Sequence, residues 1–498
     1  GDERIHASVL TAGNELVEAT PDGIVTTLYE ALQRATKISN NGEFVGERLG
    51  PKKRYSWLRY QEVLERSQRI GSAMIRLGQN PGDRTKIGIC GLSSTEYLIA
   101  TYGCMSYSMI IVPLYHHYKQ DVLCQIITNC SIELIFCDTQ ERANSFLLES
   151  DNLPNLKTIV VMKPGKKPGN INGPSMTKPN ISLFEWDYLL KLGDTHLKPV
   201  TPPTVHDIYI ICHTSGTTGT PKGVQLTHRA LLAAMAGLYH QWCRPPHRMV
   251  FDHKDVYFSF LSLAHVYEQL LQSFIIYVGG RIGFFGGDLK NILEDMQTLK
   301  PTLIAMVPRL LNRFYDSIHA NIENAGAIKK FLFRKAVTSK TARLNRGIMN
   351  YSTLWDKLVF KKIHAMFGGR LRLITTGGAP IAPDVLRFSR LAYGCPVFEG
   401  YGQTECSAAG TLSLPFDTQG GHVGGPSSWA HVKLVDVPEL GYIAADDKGE
   451  VCFRGAAIMS GYYGDDALTK EAIDKEGKFS YHFFHIIVIT RLSHTERY

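Results

Sequence analysis

Nowhere does the chain carry 18 or more consecutive apolar residues, so the sequence offers no membrane-spanning helix. No secretory leader opens it, and it begins at Gly1 rather than Met, which leaves room for an upstream anchor. None of the ten cysteines forms a Cys-x-x-Cys pair, and most sit in apolar runs. That argues against a zinc site and a disulfide framework, and predicts reduced thiols in an intracellular protein. No internal repeat is evident. A composition of 44% hydrophobic and 20% charged residues excludes disordered and collagen-like classes. At 498 residues the chain is too long for one compact core, which predicts two or three domains or subdomains.

Acid is scarce in one place. Between Lys329 and Lys362 stand seven Lys and three Arg against a single acid, Asp356, a net +9 beside the whole chain's +8. Apolar residues such as Phe331, Leu332, Leu354, Trp355 and Leu358 are interleaved. The segment reads as a basic amphipathic helical region facing an anionic membrane surface, or as a solvated helical hairpin packed on its own domain. Nucleic acid fits less well, because no DNA- or RNA-binding motif accompanies the charge.

What the chain does have is a glycine- and hydroxyl-rich stretch, Thr214-Ser215-Gly216-Thr217-Thr218-Gly219-Thr220-Pro221-Lys222-Gly223. It follows an apolar run at 208–212 and precedes a helix-forming segment at 229–238, so it reads as a loop joining a strand to a helix. Its glycines let backbone N–H groups converge. The hydroxyls of Thr214, Ser215, Thr217 and Thr218 add donors, and Lys222 supplies a point charge, a combination suited to polyphosphate. A Walker A loop needs Gly before the Lys and Ser or Thr after it; Pro221 and Gly223 stand there instead. The competing reading is a mobile surface loop.

A helix is predicted at 60–77, with Gly78 as its stop. Strands at 86–90, 109–114 and 134–137 then alternate with helices at 95–105, 121–129 and 141–148. That pattern predicts a parallel sheet covered on both faces. Residues 163–206, rich in Lys, Gly, Pro and Asn, predict an exposed excursion. Strands follow at 257–261, 281–285, 302–307, 371–375 and 397–400. Gly279-Gly280 and Gly286-Gly287 either line a tunnel or make turns. From about residue 420, strands at 432–435 and 450–453 predict a small β subdomain. Two further segments, Thr376-Gly377-Gly378-Ala379-Pro380 and Glu399-Gly400-Tyr401-Gly402-Gln403-Thr404-Glu405, follow strand carboxyl ends, where open α/β sheets place ligands.

In this order, the three segments resemble the phosphate loop, adenine-binding turn and adenylate-binding segment of the adenylate-forming superfamily. That superfamily includes acyl-CoA synthetases, luciferases and peptide-synthetase adenylation domains. Ser39-Asn40-Asn41-Gly42, Val112-Pro113-Leu114-Tyr115, Phe260-Leu261-Ser262-Leu263-Ala264-His265 and Gly377-Gly378-Ala379-Pro380-Ile381 are similar to long-chain fatty acyl-CoA synthetases within it. The likeness covers about residues 24–478. It implies an α/β fold, a large N-terminal domain of stacked, mostly parallel sheets with helices plus a small β subdomain, divided at 24–206, 207–420 and 421–478. It also implies ATP-dependent activation of a long-chain fatty acid through an acyl-adenylate, with Mg2+, and with CoA as co-substrate. The implied setting is the endoplasmic reticulum, mitochondrial outer membrane or peroxisome. One departure is His116-His117, where the subfamily usually has an acid after Val-Pro-Leu-Tyr.

The resemblance also implies roles. Lys222, with Thr214, Ser215, Gly216, Thr217, Thr218 and Gly219, would hold the phosphates. Gly377, Gly378, Ala379 and Pro380 would line the adenine, with Tyr401 packed on it and Gly402 and Gln403 beside it. Thr404 would contact phosphate or acyl carboxylate, Glu405 and Thr214 would hold magnesium, and His265 would gate the carboxylate end of the acyl pocket. The expected catalytic set is Lys222, Thr404, Glu405 and His265. In that chemistry a carboxylate attacks the α-phosphorus and pyrophosphate leaves, so catalysis is chiefly positioning and charge neutralisation. The family continues with a Trp-x-x-Thr-Gly-Asp motif, a hinge and a C-terminal lid domain bearing a catalytic Lys. Residues 479–498 match none of these and read as an alternative ending, which predicts impaired acyl-CoA formation. Two other readings remain: an enzyme activating another carboxylic acid, and a non-catalytic nucleotide- or lipid-binding regulator. A P-loop NTPase is the poorest match.

Overall fold

The computed structural model describes residues 5–11, 15–48, 50, 52–163, 175–178, 180–214, 221–244, 248–415, 417–473 and 479–480. Two nine-stranded sheets and a four-stranded sheet organise them. In the first large sheet Ile208–Thr214, Ile110–Leu114, Lys86–Cys90, Leu134–Cys137, Thr158–Val161 and Ile181–Glu185 run parallel in that spatial order. All five residues of Ile110–Leu114 are buried, as expected of a strand covered on both faces. The second large sheet has a parallel centre of Glu43–Arg48, Arg281–Phe284, Val256–Ser259, Leu303–Ala305, Leu373–Thr376 and Val397–Tyr401. Its edges are antiparallel. The small sheet pairs Ile5–His6, Ala430–Val435, Glu450–Gly455 and Phe479–Ser480 antiparallel.

The helices Thr95–Met105, His228–Cys243 and Val266–Tyr277 are buried almost all round. A helix that is apolar on every side belongs inside a core, and these three share one continuous apolar cluster with residues of both large sheets. That placement sets His228–Cys243 and Val266–Tyr277 beside the ends of the Leu373–Thr376 and Val397–Tyr401 strands.

Two elements depart from the sequence reading. Residues 163–206 are not one exposed excursion, because Ser175–Lys178 and Ile181–Glu185 are strands and Trp186–Thr195 is a helix. Ile181, Leu183 and Phe184 are buried, a strand signal hidden among Lys, Pro and Asn. The helix packs so tightly on Tyr60–Arg76 that a Cβ at Gly193 would lie 1.8 Å from the Arg69 carbonyl oxygen. Sheet membership also crosses the expected division at 206. The hairpin Glu43–Arg48 and Tyr55–Arg59 joins the second large sheet, whereas Ile208–Thr214 joins the first. Gly279 and Gly287 are left-handed turns, with φ of +76° and +89°. All ten cysteines are free, and only Cys243 is less than fully buried. Among the described residues no helix is long and apolar enough to cross a membrane.

Candidate active site

The Ile208–Thr214 strand leads into the phosphate-loop stretch, and the chain returns antiparallel as Lys222–Thr227, with Thr214 opposite Lys222. The stretch therefore connects two antiparallel strands and not, as expected, a strand to a helix. Lys-Gly-Val-Gln-Leu-Thr alternates, with Val224 and Leu226 buried, which is the strand period. The helix begins only at His228, after Thr227, whose side chain caps it by accepting the Ala230 N–H. Ser215, Gly216, Thr217, Thr218 and Gly219 lie outside the described residues. Thr214 and Lys222 stand at the two roots of the loop. The Tyr118 hydroxyl braces one root by donating to the His213 carbonyl at 3.1 Å.

In the second sheet Leu373–Thr376 and Val397–Tyr401 end side by side, Thr376 opposite Glu399. A Cβ at Gly377 would lie 2.9 Å from the Gly400 carbonyl oxygen, so the two strand ends approach closely only as glycine. Gly378, with φ +80°, turns the chain outward, and Gly378, Ala379 and Pro380 are exposed. A Cβ at Gly402 would lie 1.8 Å from the Ala408 carbonyl oxygen, which forces glycine there too. The Gln403 amide donates to the Tyr401 hydroxyl at 2.7 Å. A single helical turn, Thr404–Cys406, points Glu405 inward, where 3% of it is exposed. The turn ends on Ser407 and Ala408, both at positive φ, strain of the kind that functional loops retain.

Glu405, Lys222 and Tyr462 meet across the two sheets. The Tyr462 hydroxyl donates to Glu405 Oε1 at 3.0 Å. Lys222 Nζ lies 5.6 Å from the Tyr462 ring centre. Gly461–Tyr462 adds as a strand to the outer edge of the hairpin, Tyr462 opposite Val224, and the Met459 N–H donates to the Glu405 carbonyl at 2.8 Å. Burial raises the Glu405 pKa above the ordinary carboxylate value, while hydrogen bonds, including that from Tyr462, and the Lys222 charge oppose the rise. Tyr462 was not an expected site residue. Its segment showed only a family likeness, and the contact is made by long-range strand pairing.

His265 stands at the N-cap of the Val266–Tyr277 helix, its ring edge-on to Tyr115 at 5.3 Å. Surrounding protein lowers its pKa and favours the neutral imidazole. The same Tyr115 ring meets His117 at 5.2 Å. Burial first, and then the neighbouring His117 charge, bring His116 down to about 4.

Of these parts, His265, Gly377, Gly378, Gly402, Gln403 and Thr404 line one cavity of about 220 Å³, whereas Lys222, Glu405, Tyr401, Ala379 and Pro380 do not line it. Its mouth is formed by His265, Thr376, Gly377, Gly378, Gly402, Gln403 and Thr404. Its far wall is apolar: Leu238 and Trp242 from one helix, Val266, Leu270 and Leu271 from the next, and Leu412 from the antiparallel strand Thr411–Leu412. Thr376 Oγ1 and Gln403 Oε1 are buried without a hydrogen-bond partner, which marks the mouth as a place for a polar ligand group. Thr376 opens the adenine-turn segment but was not an expected site residue.

Among the described residues no cluster of three His, Cys, Asp or Glu forms a metal cage. Glu405 and Thr214 are hard oxygen donors, the kind magnesium uses when phosphate and water complete its shell. A carboxylate disfavoured by burial gains from such a cation, so the residues fit the ion.

The architecture is that of the large domain of adenylate-forming enzymes. It superposes on the adenylation domain of a carboxylic acid reductase from Segniliparus rugosus, solved with AMP and a co-purified carboxylic acid. The TM-score is 0.69 at 19% identity, over 91% of this chain and 71% of that one. A family model described as AMP-binding enzyme matches residues 34–463, and the chain belongs to that family. It is 39% identical over 453 residues to long-chain-fatty-acid–CoA ligase 5 of Rattus norvegicus. It is also 39% identical over 459 residues to long-chain-fatty-acid–CoA ligase 1 of Homo sapiens. Each alignment covers 91% of this chain, which spans 65% and 64% of the two relatives' lengths.

Proposed function

We propose that the protein activates a long-chain fatty acid with ATP, through an acyl-adenylate, and passes the acyl group to CoA. One observation carries the reading: a single cavity has an apolar far wall and a polar mouth built from two of the three adenylate-type segments. The alkyl chain would lie between the His228–Cys243 and Val266–Tyr277 helices, leaving the carboxylate at His265 and Thr404. His265, kept neutral by its surroundings, orients the carboxylate with an N–H and does not neutralise it, so the oxygen stays nucleophilic. That oxygen attacks the α-phosphorus and the bond to pyrophosphate breaks. Lys222 and the N–H groups of the loop it closes offset charge on the leaving group. Gly377–Pro380 receive the adenine, and Tyr401, Gly402 and Gln403 flank it. Magnesium, when held by Glu405 and Thr214 with the phosphates, supplies further charge neutralisation. The working setting is intracellular, at the surface of the endoplasmic reticulum, mitochondrial outer membrane or peroxisome.

The test is pyrophosphate release by the purified chain with ATP, magnesium and palmitate or arachidonate, with and without CoA. Release that depends on the fatty acid sustains the reading. Absence of release, or release that ignores the acid, overturns it.

A further inference from the structure

The helix Ala327–Leu344 buries Phe333, Ala336, Lys340 and Leu344 on one side. The opposite side carries Ile328, Phe331, Leu332 and Lys335 at the three- and four-residue spacing of a single helical face. Ile328 is 77% exposed and Phe331 59%, far more than a packed helix leaves open. Farther along, Leu354 and Leu358, one turn apart, are 67% and 68% exposed, with Lys357, Lys361 and Lys362 around them.

The charge is as uneven as the exposure. Asp356, the only acid between Lys329 and Lys362, is buried and paired with Lys340 at 2.5 Å. The segment's acid is thus neutralised inside, and every other Lys and Arg of the segment is exposed or half-exposed. The neighbouring Glu323 lies 3.3 Å from Lys330 and 3.7 Å from Arg334, and offsets part of the charge on that turn alone.

We propose that this face, centred on Phe331, Lys335, Lys357 and Leu358, docks the protein on an anionic lipid bilayer. The reasoning is charge complementarity combined with apolar exposure. Cations near an anionic leaflet are attracted within a Debye length of the surface, and exposed Ile, Phe and Leu side chains enter the headgroup–acyl boundary. A nucleic-acid backbone would satisfy the cations but leave Ile328, Phe331, Leu354 and Leu358 in water. The surface deepens the proposed function by naming where a poorly soluble acid is met, yet it rests on charge and exposure alone.

The test is flotation of the full chain with vesicles, without ATP or fatty acid, so that it reads separately from activity. Phosphatidylcholine vesicles with about 30% phosphatidylserine should carry the chain at about 0.1 M salt, and neutral vesicles should not. Salt at about 0.5 M should release it. Combined K335Q, K357Q and K361Q should weaken binding roughly 100-fold, at about fivefold per charge removed. F331S with L358S should weaken it about tenfold and leave the salt dependence in place. Equal binding to neutral and anionic vesicles overturns the assignment, as does salt-sensitive capture of RNA in place of vesicles. The lipid and salt comparison uses the unaltered chain, so a misfolded variant does not decide the matter. Flotation without ligase activity would defeat the proposed function and spare this surface; activity without flotation would do the reverse.

Discussion

Removing a single oxygen, in Tyr462→Phe, should separate the chemistry of Glu405 from its packing. The lost hydroxyl donates to Glu405 Oε1 at 3.0 Å, where 3% of Glu405 is exposed. A buried hydrogen bond to a charged group is worth about 1.5–3 kcal/mol, so adenylation at neutral pH should fall on the order of 10- to 100-fold. The ring remains, so its contact with Lys222 and its strand pairing survive, and the melting temperature should fall by no more than the few degrees that one lost hydrogen bond implies. The pH dependence carries the sharper signal. Burial raises the Glu405 pKa, and the Tyr462 donor opposes that rise. A carboxyl with a raised folded pKa contributes stability that is complete below its unfolded value and is lost as pH climbs through the folded value. Function runs the other way, because only the ionised form serves a cation. Tyr462→Phe should therefore move the acid limb of the rate profile to higher pH, and added magnesium should recover part of the loss. The assay is pyrophosphate release against pH at two magnesium concentrations. An unmoved acid limb together with unchanged magnesium dependence would refute the coupling.

Gly402→Ala places a Cβ 1.8 Å from the Ala408 carbonyl oxygen, and backbone cannot yield as a side chain can. It should cost about 1–3 kcal/mol of stability and abolish adenylation, read by thermal melting and pyrophosphate release. Lys222→Ala should weaken ATP binding on the order of 100-fold by calorimetry while the fold persists; unchanged affinity would remove Lys222 from the phosphate site. Glu268 is fully buried and accepts bonds from Tyr257, Ser259 and Gln272, yet burial lifts its pKa to about 7. The raised value means stability present below about pH 4.5 is lost as pH rises through about 7, by about 3 kcal/mol in total. Glu268→Gln should flatten the melting temperature across that window, and a pH dependence matching the unaltered protein would count against this assignment.

The parts of the fold legible in the sequence were those whose burial is local. Lys86–Cys90 and Leu134–Cys137 are short apolar runs between helices, and their ends fall where the runs end. Lys222–Thr227 was missed because its buried apolar side chains are only Val224 and Leu226, beside the buried Gly223, too few to stand out before a strong helix-former. That omission hid the geometry that matters most. Once the chain doubles back as a hairpin, its outer edge is open for Gly461–Tyr462, and that pairing carries the Tyr462 hydroxyl to Glu405. The Gly455–Tyr463 likeness was visible, but a residue's partner across sheets is not written in spacing. Glu405 is inward-facing because the 402–408 loop folds tightly on a glycine, and it stays there because the Met459 N–H and the Ser407 hydroxyl tie that loop to residues 457–459. The small β region after residue 420 therefore does more than extend the domain. It closes the carboxylate against the hairpin that carries Lys222, so substitutions at Ser407, or in residues 457–462, should act on adenylation through the position of Glu405.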